Sequence, residues 1–448
     1  MRIGMLLDAV YPTDVRVEKE TRALAAAGHE AVVLSYAAPD RPDREAYAGA
    51  TVLRRPLQDA HDGLAGLLPG LAHVVTGVHR GWAAAIEALI DEEGVDAIHV
   101  HDLPLARTAL TVGERRGVPV VVDLHENWPE AVRLYRAADR LSERADPRWL
   151  LTRVLNPVVR WKRIERDAVR RATRVITVAE EAGEHYVDDC GADPAAVRVV
   201  SNYVRLESFA GDHDPAPGFD GEFVVSYVGS LGGEHRGLDA VVRAMPAVRE
   251  RVPNARLVIV GGGVAYMAHL KALTAEVGVE DVVTFAGHVP FDEVPGYIEA
   301  SDVCLVPHLS TGHTETTVPH KLFQYMAVEK PVVVTDVAPL KRIVEDAGAG
   351  IVVPSDDDGA FAEAFVRLAG DPELRTAYGA AGRAAVERQY NWAREAETLV
   401  ALYDELAGET GVGGDGVPGG TDGTGVRPGT DADPRVDLPD PERAEPAV

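Results

Sequence analysis

In the stretch SDVCLVPHLSTGHTETTVPHKLFQYMAVEKP, Ser301–Pro331, an apolar run at Val303–Val306 empties into a loop of Thr, Gly, His and Glu. A helix is predicted to open at Pro319, because proline suits a first helical turn, where its missing N–H would have no partner. The loop is therefore expected to place free backbone N–H groups and hydroxyls at a helix N-terminus, where the dipole favours an anion. Lys321 falls in the first turn, with Gln324 and Tyr325 one turn later on the same face. A cation and a polar side chain at such a place point to a phosphorylated ligand.

Three further loops of the same half support this reading. Strand-like runs there end in Gly229–Ser230–Leu231–Gly232–Gly233, in Gly261–Gly262–Gly263 and in Gly287–His288–Val289. Glycine lets a backbone approach a ligand closely. One such loop would mean only a tight turn; four together, counting Thr311–Thr317, argue for a ligand. Arg236 lies just beyond the first loop, so Arg236 and Lys321 would converge on one diphosphate, with charge-assisted bonds of about 1.5–3 kcal/mol each. Neither Gly cluster fits Gly-x-Gly-x-x-Gly with a following strand-end acid, and no Walker-type loop occurs. The pattern is of a nucleotide held by scattered loops.

These residues need a scaffold. Strands are predicted at Arg2–Leu7, Glu30–Ser35, Ala97–His101, Val118–Leu124, Arg174–Val178 and Val197–Ser201. A second series falls at Phe223–Val228, Arg256–Val260, Val282–Ala286, Val303–Val306, Pro331–Thr335 and Gly350–Val353. Short continuous apolar strands alternating with helical segments mean parallel sheets covered on both faces. The expected architecture is α/β, with two doubly wound Rossmann-like domains facing a central cleft. The first domain would span residues 1–205, completed by a returning helix at 389–406; the second would span 206–388, with the join near Tyr203–Gly221. Residues 409–448 are rich in Gly, Pro, Asp and Thr, and are expected to form a disordered acidic tail.

The chain has 448 residues, 46% of them hydrophobic, which accommodates two ordinary domains. No apolar run reaches the roughly 18 residues that a membrane span requires. The start, MRIGMLLDAVYP, reads as a first strand rather than a signal peptide. Only Cys190 and Cys304 occur, so no disulfide framework is expected, and the cytoplasm is the expected location. A net charge of −26 argues against nucleic-acid binding and fits solubility in strong salt, as halophiles require; a merely acidic cytosolic protein is the plainer alternative. Within this acidic chain, residues 148–174 form an Arg-rich island interleaved with Trp149, Leu150, Leu151 and Trp161. Peripheral contact with an anionic membrane, at the inner face of the cell membrane, and a solvated helix face paired with acids are the two readings of it.

His99 and His101 alternate onto one sheet face, with His125 and Glu126 nearby. Zinc would need a third ligand at helical or turn spacing, and the sequence supplies none, so no metal is expected.

With these segments in view, the chain resembles family 4 of the retaining glycosyltransferases, which share the GT-B architecture. GSLGGEHRG resembles the family's donor-diphosphate loop, with Arg236 where a Lys is usual, and PHKLFQYMAVEKPVV resembles the segment whose helix binds the donor nucleotide. YPTDVRVEKETRALAAAGHE, HVHDLPLA and VVDLHENWPE resemble cleft segments of the first domain. The chain departs at Ser230, where a basic residue is frequent. It departs again at the Glu-x7-Glu signature, whose second Glu is Gln324 and whose first falls at Thr316, beside Glu315.

The resemblance implies transfer of a sugar from a nucleotide-diphosphate donor to a glycan, lipid-linked or small-molecule acceptor, with retention, in cell-surface glycan assembly. It implies no cofactor beyond the nucleotide-sugar co-substrate. Arg236 and Lys321 would neutralise the departing diphosphate and His101 would face the sugar. Gly229, Ser230, Gly262, Gly263, His288, Val289, Glu315, Thr316, Thr317 and Gln324 would bind the donor. Asp14, Arg16, Asp102, His125 and Glu126 would line the acceptor side. Two alternatives remain: a nucleotide-sugar epimerase on the same fold, and a non-catalytic partner subunit of an active transferase.

Overall fold

The computed structural model of the protein describes residues 1–57, 76–137, 157–209 and 214–411. Residues 412–448 of the expected tail, 148–156 of the basic island and 210–213 of the expected join lie outside the described residues.

The strands fall into two sheets. The first contains β1 (Arg2–Leu6), β2 (Glu30–Tyr36), β3 (Arg44–Tyr47), β4 (Ala50–Arg55), β5 (Ala97–His101), β6 (Val120–Leu124), β7 (Arg174–Thr177) and β8 (Val197–Val199), in the order β3-β4-β2-β1-β5-β6-β7-β8. The second contains β9 (Phe223–Val228), β10 (Ala255–Val260), β11 (Val283–Gly287), β12 (Val303–Val306), β13 (Val332–Thr335) and β14 (Gly350–Val353), in the order β11-β10-β9-β12-β13-β14. All pairings are parallel except β3 with β4. Each expected strand is present, with ends shifted by no more than two residues in most cases.

The β3–β4 hairpin is the element the sequence did not announce. REAY and ATVLRR mix charge with apolar residues because β3 is an edge strand with one face in solvent. Its turn places Ala48 (φ 51°) and Gly49 (φ 79°) at positive φ, the requirement of a two-residue hairpin turn. Between these sheets the buried strands differ in kind: β9, FVVSYV, is covered along its whole length, as a central parallel strand must be.

The second sheet's order reverses between β9 and β12, and the first sheet's between β1 and β5. In open α/β sheets a ligand crevice forms outside the strand ends at such a point. Both reversals therefore aim the loops after β1, β5, β9 and β12 at one region. The last helix, Trp392–Thr410, follows the second series yet packs Trp392, Leu399, Leu402, Tyr403 and Leu406 against Ile3, Met5, Val33, Val121 and Ile176 of the first sheet.

Close loop packing at the second reversal depends on glycine. Gly261 has φ +147°, and a Cβ there would lie 1.9 Å from the Gly229 carbonyl oxygen. Gly261→Ala should therefore lower the unfolding free energy by at least about 2 kcal/mol in urea titration, since strain and clash add. A change under about 0.5 kcal/mol would show that the two loops are not so tightly stacked.

Candidate functional site

At the end of β9 the chain turns through Gly229, whose φ of +147° brings the backbone against the helix His320–Ala327. Pro319 stands one position before that helix in extended conformation, rather than as its first residue. Lys321 is buried, and its Nζ sits 3.5 Å from the centre of the Tyr227 ring, a cation–π contact. A Cβ on Gly229 would lie 2.4 Å from that Nζ, so glycine here makes room for the ammonium. Tyr325, one turn on and on the same face, accepts from the Val228 N–H at 2.9 Å and donates to the Val228 carbonyl at 3.0 Å. This locks the helix to the strand end.

Lys321 Nζ is buried with no hydrogen-bond partner among the described residues, and Arg236 Nε is in the same state. Arg236 Nη1 meets only His308 Nε2, at 3.3 Å. No carboxylate among the described residues forms an ion pair with either cation. Burial, with repulsion from Arg236 added, pushes the Lys321 ammonium well below its usual range. The same two causes depress His308 far below an ordinary histidine, bring His235 down to about 3 and His313 to about 4. Basic groups are thus gathered in a partly buried place with no ion-pairing acid among the described residues, an arrangement that an anion would complete.

The Thr311–Thr317 loop departs from expectation. Its hydroxyls are not free: Thr314 donates to Leu309 O at 2.6 Å, Thr316 to Gly312 O at 3.1 Å and Thr317 to His313 O at 2.9 Å. Threonine hydroxyls satisfy nearby carbonyls of a tight turn as readily as they meet a ligand. Glu315 is engaged too, accepting from Ser310 Oγ at 2.5 Å and from the Ala338 N–H at 2.9 Å. Gln324 is half-buried and its amide makes no hydrogen bond with the described residues, so it keeps its capacity for one.

Ser230 is exposed, and its carbonyl accepts from Tyr227 Oη at 2.7 Å. Gly262 O accepts from the Leu231 N–H at 2.7 Å, and a Cβ on Gly263 would lie 2.4 Å from Leu231 O. These two glycines serve loop-on-loop packing. His288 is exposed and makes no hydrogen bond or ion pair with the described residues, while Val289 packs against the second sheet's core.

Across the cleft the charges are compensated. Asp14 caps the helix Val15–Ala26 by accepting from the N–H groups of Arg16 and Val17. Arg16 was expected to line the acceptor side; instead it is 2% exposed and grips Asp123 with two bonds of 3.0 Å, plus Glu20 at 2.9 Å. A guanidinium matches a carboxylate fork so well that burial of the pair is favoured over facing solvent. His99 Nε2 lies 3.4 Å from Asp123, and its Nδ1 meets Tyr403 Oη at 2.8 Å. His101, in register with Asp123, stacks on His99 with ring centres 4.4 Å apart.

Zinc-like spacing does arise here, against the expectation from sequence: Glu20, His99, His101 and Asp123 bring four ligand atoms within 4.8 Å of one another. Tertiary folding supplied Glu20 and Asp123 from separate elements. Arg16, bonded to both acids, already provides the cation.

Burial and repulsion from His99 hold His101 down at about 3, so it is neutral, and its Nε2 is buried without a partner. His125 behaves oppositely. Burial alone would depress it, but Asp102 at 3.4 Å and Asp123 at 3.0 Å outweigh that and raise it to about 10. Asp102 stands at the end of β5 with φ 63° and ψ 165°, a strained conformation of the kind found at functional sites.

Glu126 joins the two halves. Its Oε2 lies 3.7 Å from His313 Nδ1 of the second domain. Burial and the nearby Asp102 raise it to about 7, with His125 and Arg236 opposing. Asn202 Nδ2 to His320 Nε2 at 2.6 Å and the Glu181–Arg342 pair at 2.7 and 3.0 Å also bridge the cleft. The structure thus brings His101, Asp102, His125 and Glu126 to one side and Arg236 and Lys321 to the other. Asp123, Tyr227, His308 and His313 were missed. The parity of Asp123 with His125, and of Tyr227 within an apolar strand, was the only available signal.

Comparison with known proteins gives the following. The family described as "Glycosyl transferase 4-like domain" matches residues 13–203, and that described as "Glycosyl transferases group 1" matches residues 222–371. A D-inositol 3-phosphate glycosyltransferase of Acidothermus cellulolyticus is 29% identical over 420 residues, covering 88% of this chain and 86% of that protein. An alpha-D-kanosaminyltransferase of Streptomyces kanamyceticus is 26% identical over 298 residues, covering 65% of this chain and 71% of that protein. Among solved structures, a sucrose-phosphate synthase of Thermosynechococcus elongatus superposes with a TM-score of 0.69 at 22% identity, covering 91% of this chain and all of that one. No helix among the described residues is long and apolar enough to cross a membrane.

The His125 environment predicts a pH signature. Its folded value of about 10 lies above the ordinary 6.5, so the stability it contributes is complete below about pH 6.5 and is lost as pH rises through about 10. Unfolding free energy should therefore fall from neutral pH toward pH 10, and His125→Gln should flatten that slope. Parallel wild-type and variant profiles would contradict the charged state assigned to His125.

Proposed function

Because the chain belongs to the group 1, family 4-like glycosyltransferases of GT-B fold, we propose that it moves a sugar from a nucleoside diphosphate donor to a glycan or lipid-linked acceptor, with retention of configuration, as a step in cell-surface glycan assembly. The observation that carries this reading is the buried Lys321 beside the half-buried Arg236, with no ion-pairing carboxylate among the described residues, at the strand-order reversal of the second sheet. As the bond from sugar to diphosphate breaks, negative charge grows on the phosphate oxygens. Two preorganised cations in a low-dielectric site stabilise that charge without reorganising.

In this reading Gly229 lets the diphosphate backbone approach Lys321, and Gln324 offers its free amide to the ribose. His101, neutral, presents Nε2 to a sugar hydroxyl from across the cleft. Asp102 and Glu126 orient the acceptor. The cations supply the electrostatic role without a fixed metal in the chemical step.

Membrane contact is a further part of the proposal. On the helix Val158–Arg171, Val159 is 58% exposed, and Arg163 and Arg166 lie exposed on the same face without an acidic partner among the described residues. That face suits anionic headgroups. Its other cations are engaged, Lys162 with Glu130 and Arg171 with Glu114 and Asp167.

Incubation with a panel of uridine and guanosine diphosphate sugars and candidate acceptors tests the assignment. Transfer, with the product anomer read by NMR, supports it. Formation of an isomeric nucleotide sugar would point to an epimerase, and absence of any nucleotide binding to a non-catalytic subunit. Lys321→Ala should weaken nucleoside diphosphate binding about tenfold to a hundredfold, the worth of one charge-assisted bond. Unchanged affinity would remove Lys321 from its role.

A further inference from the structure

Outside the cleft groups, Glu165, His185 and Cys190 meet beneath the helix Glu180–Asp188. Glu165 and Cys190 are buried and His185 is partly so. Cys190 Sγ lies 3.6 Å from Glu165 Oε2 and 3.6 Å from His185 Nε2, and His185 Nε2 lies 3.6 Å from that same carboxylate oxygen. The three atoms form an equilateral triangle. A nitrogen-to-oxygen separation of this size exceeds a hydrogen bond. The centre of a regular tetrahedron built on that triangle stands about 2.2 Å from each corner, between the zinc–sulfur distance of about 2.3 Å and the zinc–nitrogen distance of about 2.0–2.1 Å.

One further observation favours a cation there. His185 Nδ1 faces Asp189 Oδ2 at 2.9 Å, the carboxylate on the far nitrogen that metal-bound histidines ordinarily have. Glu165 is buried, and its ion-pair partner among the described residues is His185, which serves as its cation in the metal-free protein. In the Glu20–His99–His101–Asp123 group the cation is Arg16, which cannot give up its proton to make way for a metal, whereas His185 can.

We propose that Cys190 Sγ, His185 Nε2 and Glu165 Oε2 bind a zinc ion, with water in the fourth position reached past the partly exposed His185. Thiolate, imidazole and carboxylate together suit zinc. Two protons leave to solvent as zinc binds: the Cys190 thiol proton as the sulfur–zinc bond forms, and the His185 Nε2 proton as the nitrogen–zinc bond forms. The ion has no part in sugar transfer. It pins the C-terminal end of the helix Glu180–Asp188, whose N-terminal Glu181 holds Arg342 of the second domain.

The test uses the full chain, stripped with a chelator, loaded with zinc and desalted. The expected result is about one zinc per chain by elemental analysis, and a raised melting temperature relative to the stripped protein. The double variant Cys190→Ser/His185→Gln should lose both. Cobalt loading of the wild type should give a thiolate-to-cobalt charge-transfer band, which decides the matter even where the variant fails to fold. Loss of zinc on desalting, equal zinc in wild type and variant, or a cobalt spectrum without the thiolate band would each overturn the proposal.

Discussion

The structure depends on one electrostatic constraint: two basic side chains, the buried Lys321 and the half-buried Arg236, stand together with no ion-pairing acid among the described residues. Such placement costs free energy, and the surrounding fold offsets it. The Tyr227 ring lies under the ammonium, Gly229 leaves it space, and the Tyr325 hydroxyl fixes the helix to the strand end. A protein selected for stability alone would place a carboxylate there, and this chain has 71 acidic residues available. Among the described residues none of them forms an ion pair with Lys321 or Arg236, and that gives the site its chemistry.

The facing domain solves the opposite problem. Arg16, Asp123, Glu20, His99 and Tyr403 form a buried network in which charges are matched. Removing one member would leave another uncompensated, so the network behaves as a rigid floor. Above it, His101 keeps a free nitrogen and Asp102 a strained backbone. Because Tyr403 belongs to the last helix, the segment that follows the second sheet also supports the first site from below. Glu126 then stands between a compensated and an uncompensated field, which is why burial and both domains all act on its proton.

Much of this was legible in the residues, and the exceptions are instructive. Buried parallel strands such as FVVSYV announce themselves as unbroken apolar runs, whereas the edge strand REAY does not, because half of it faces water. Lys321 was legible because it falls in the first turn of a helix whose N-terminus and dipole favour an anion. Arg16 was misjudged since its partner Asp123 lies 107 residues away, and no local pattern encodes that pairing. The Thr311–Thr317 hydroxyls were misjudged for the reverse reason: the loop carbonyls that take them are only a few residues distant. The glycines at 261 and 263 were legible as tight positions, but the tightness is against neighbouring loops.

The most direct measurement is the proton balance of nucleotide binding. Burial lowers the proton affinity of Lys321 in the free protein, and a pyrophosphate beside it would raise that affinity again. Calorimetric titration of the wild-type chain and of Lys321→Met with UDP or GDP, in buffers of differing ionisation enthalpy at steps between about pH 6 and pH 10, should show a proton uptake in the wild type that the variant lacks. His235 and His313, held at about 3 and 4, stay neutral over that range. Tight binding with the same proton balance in both proteins would contradict the claim that the diphosphate sits against Lys321.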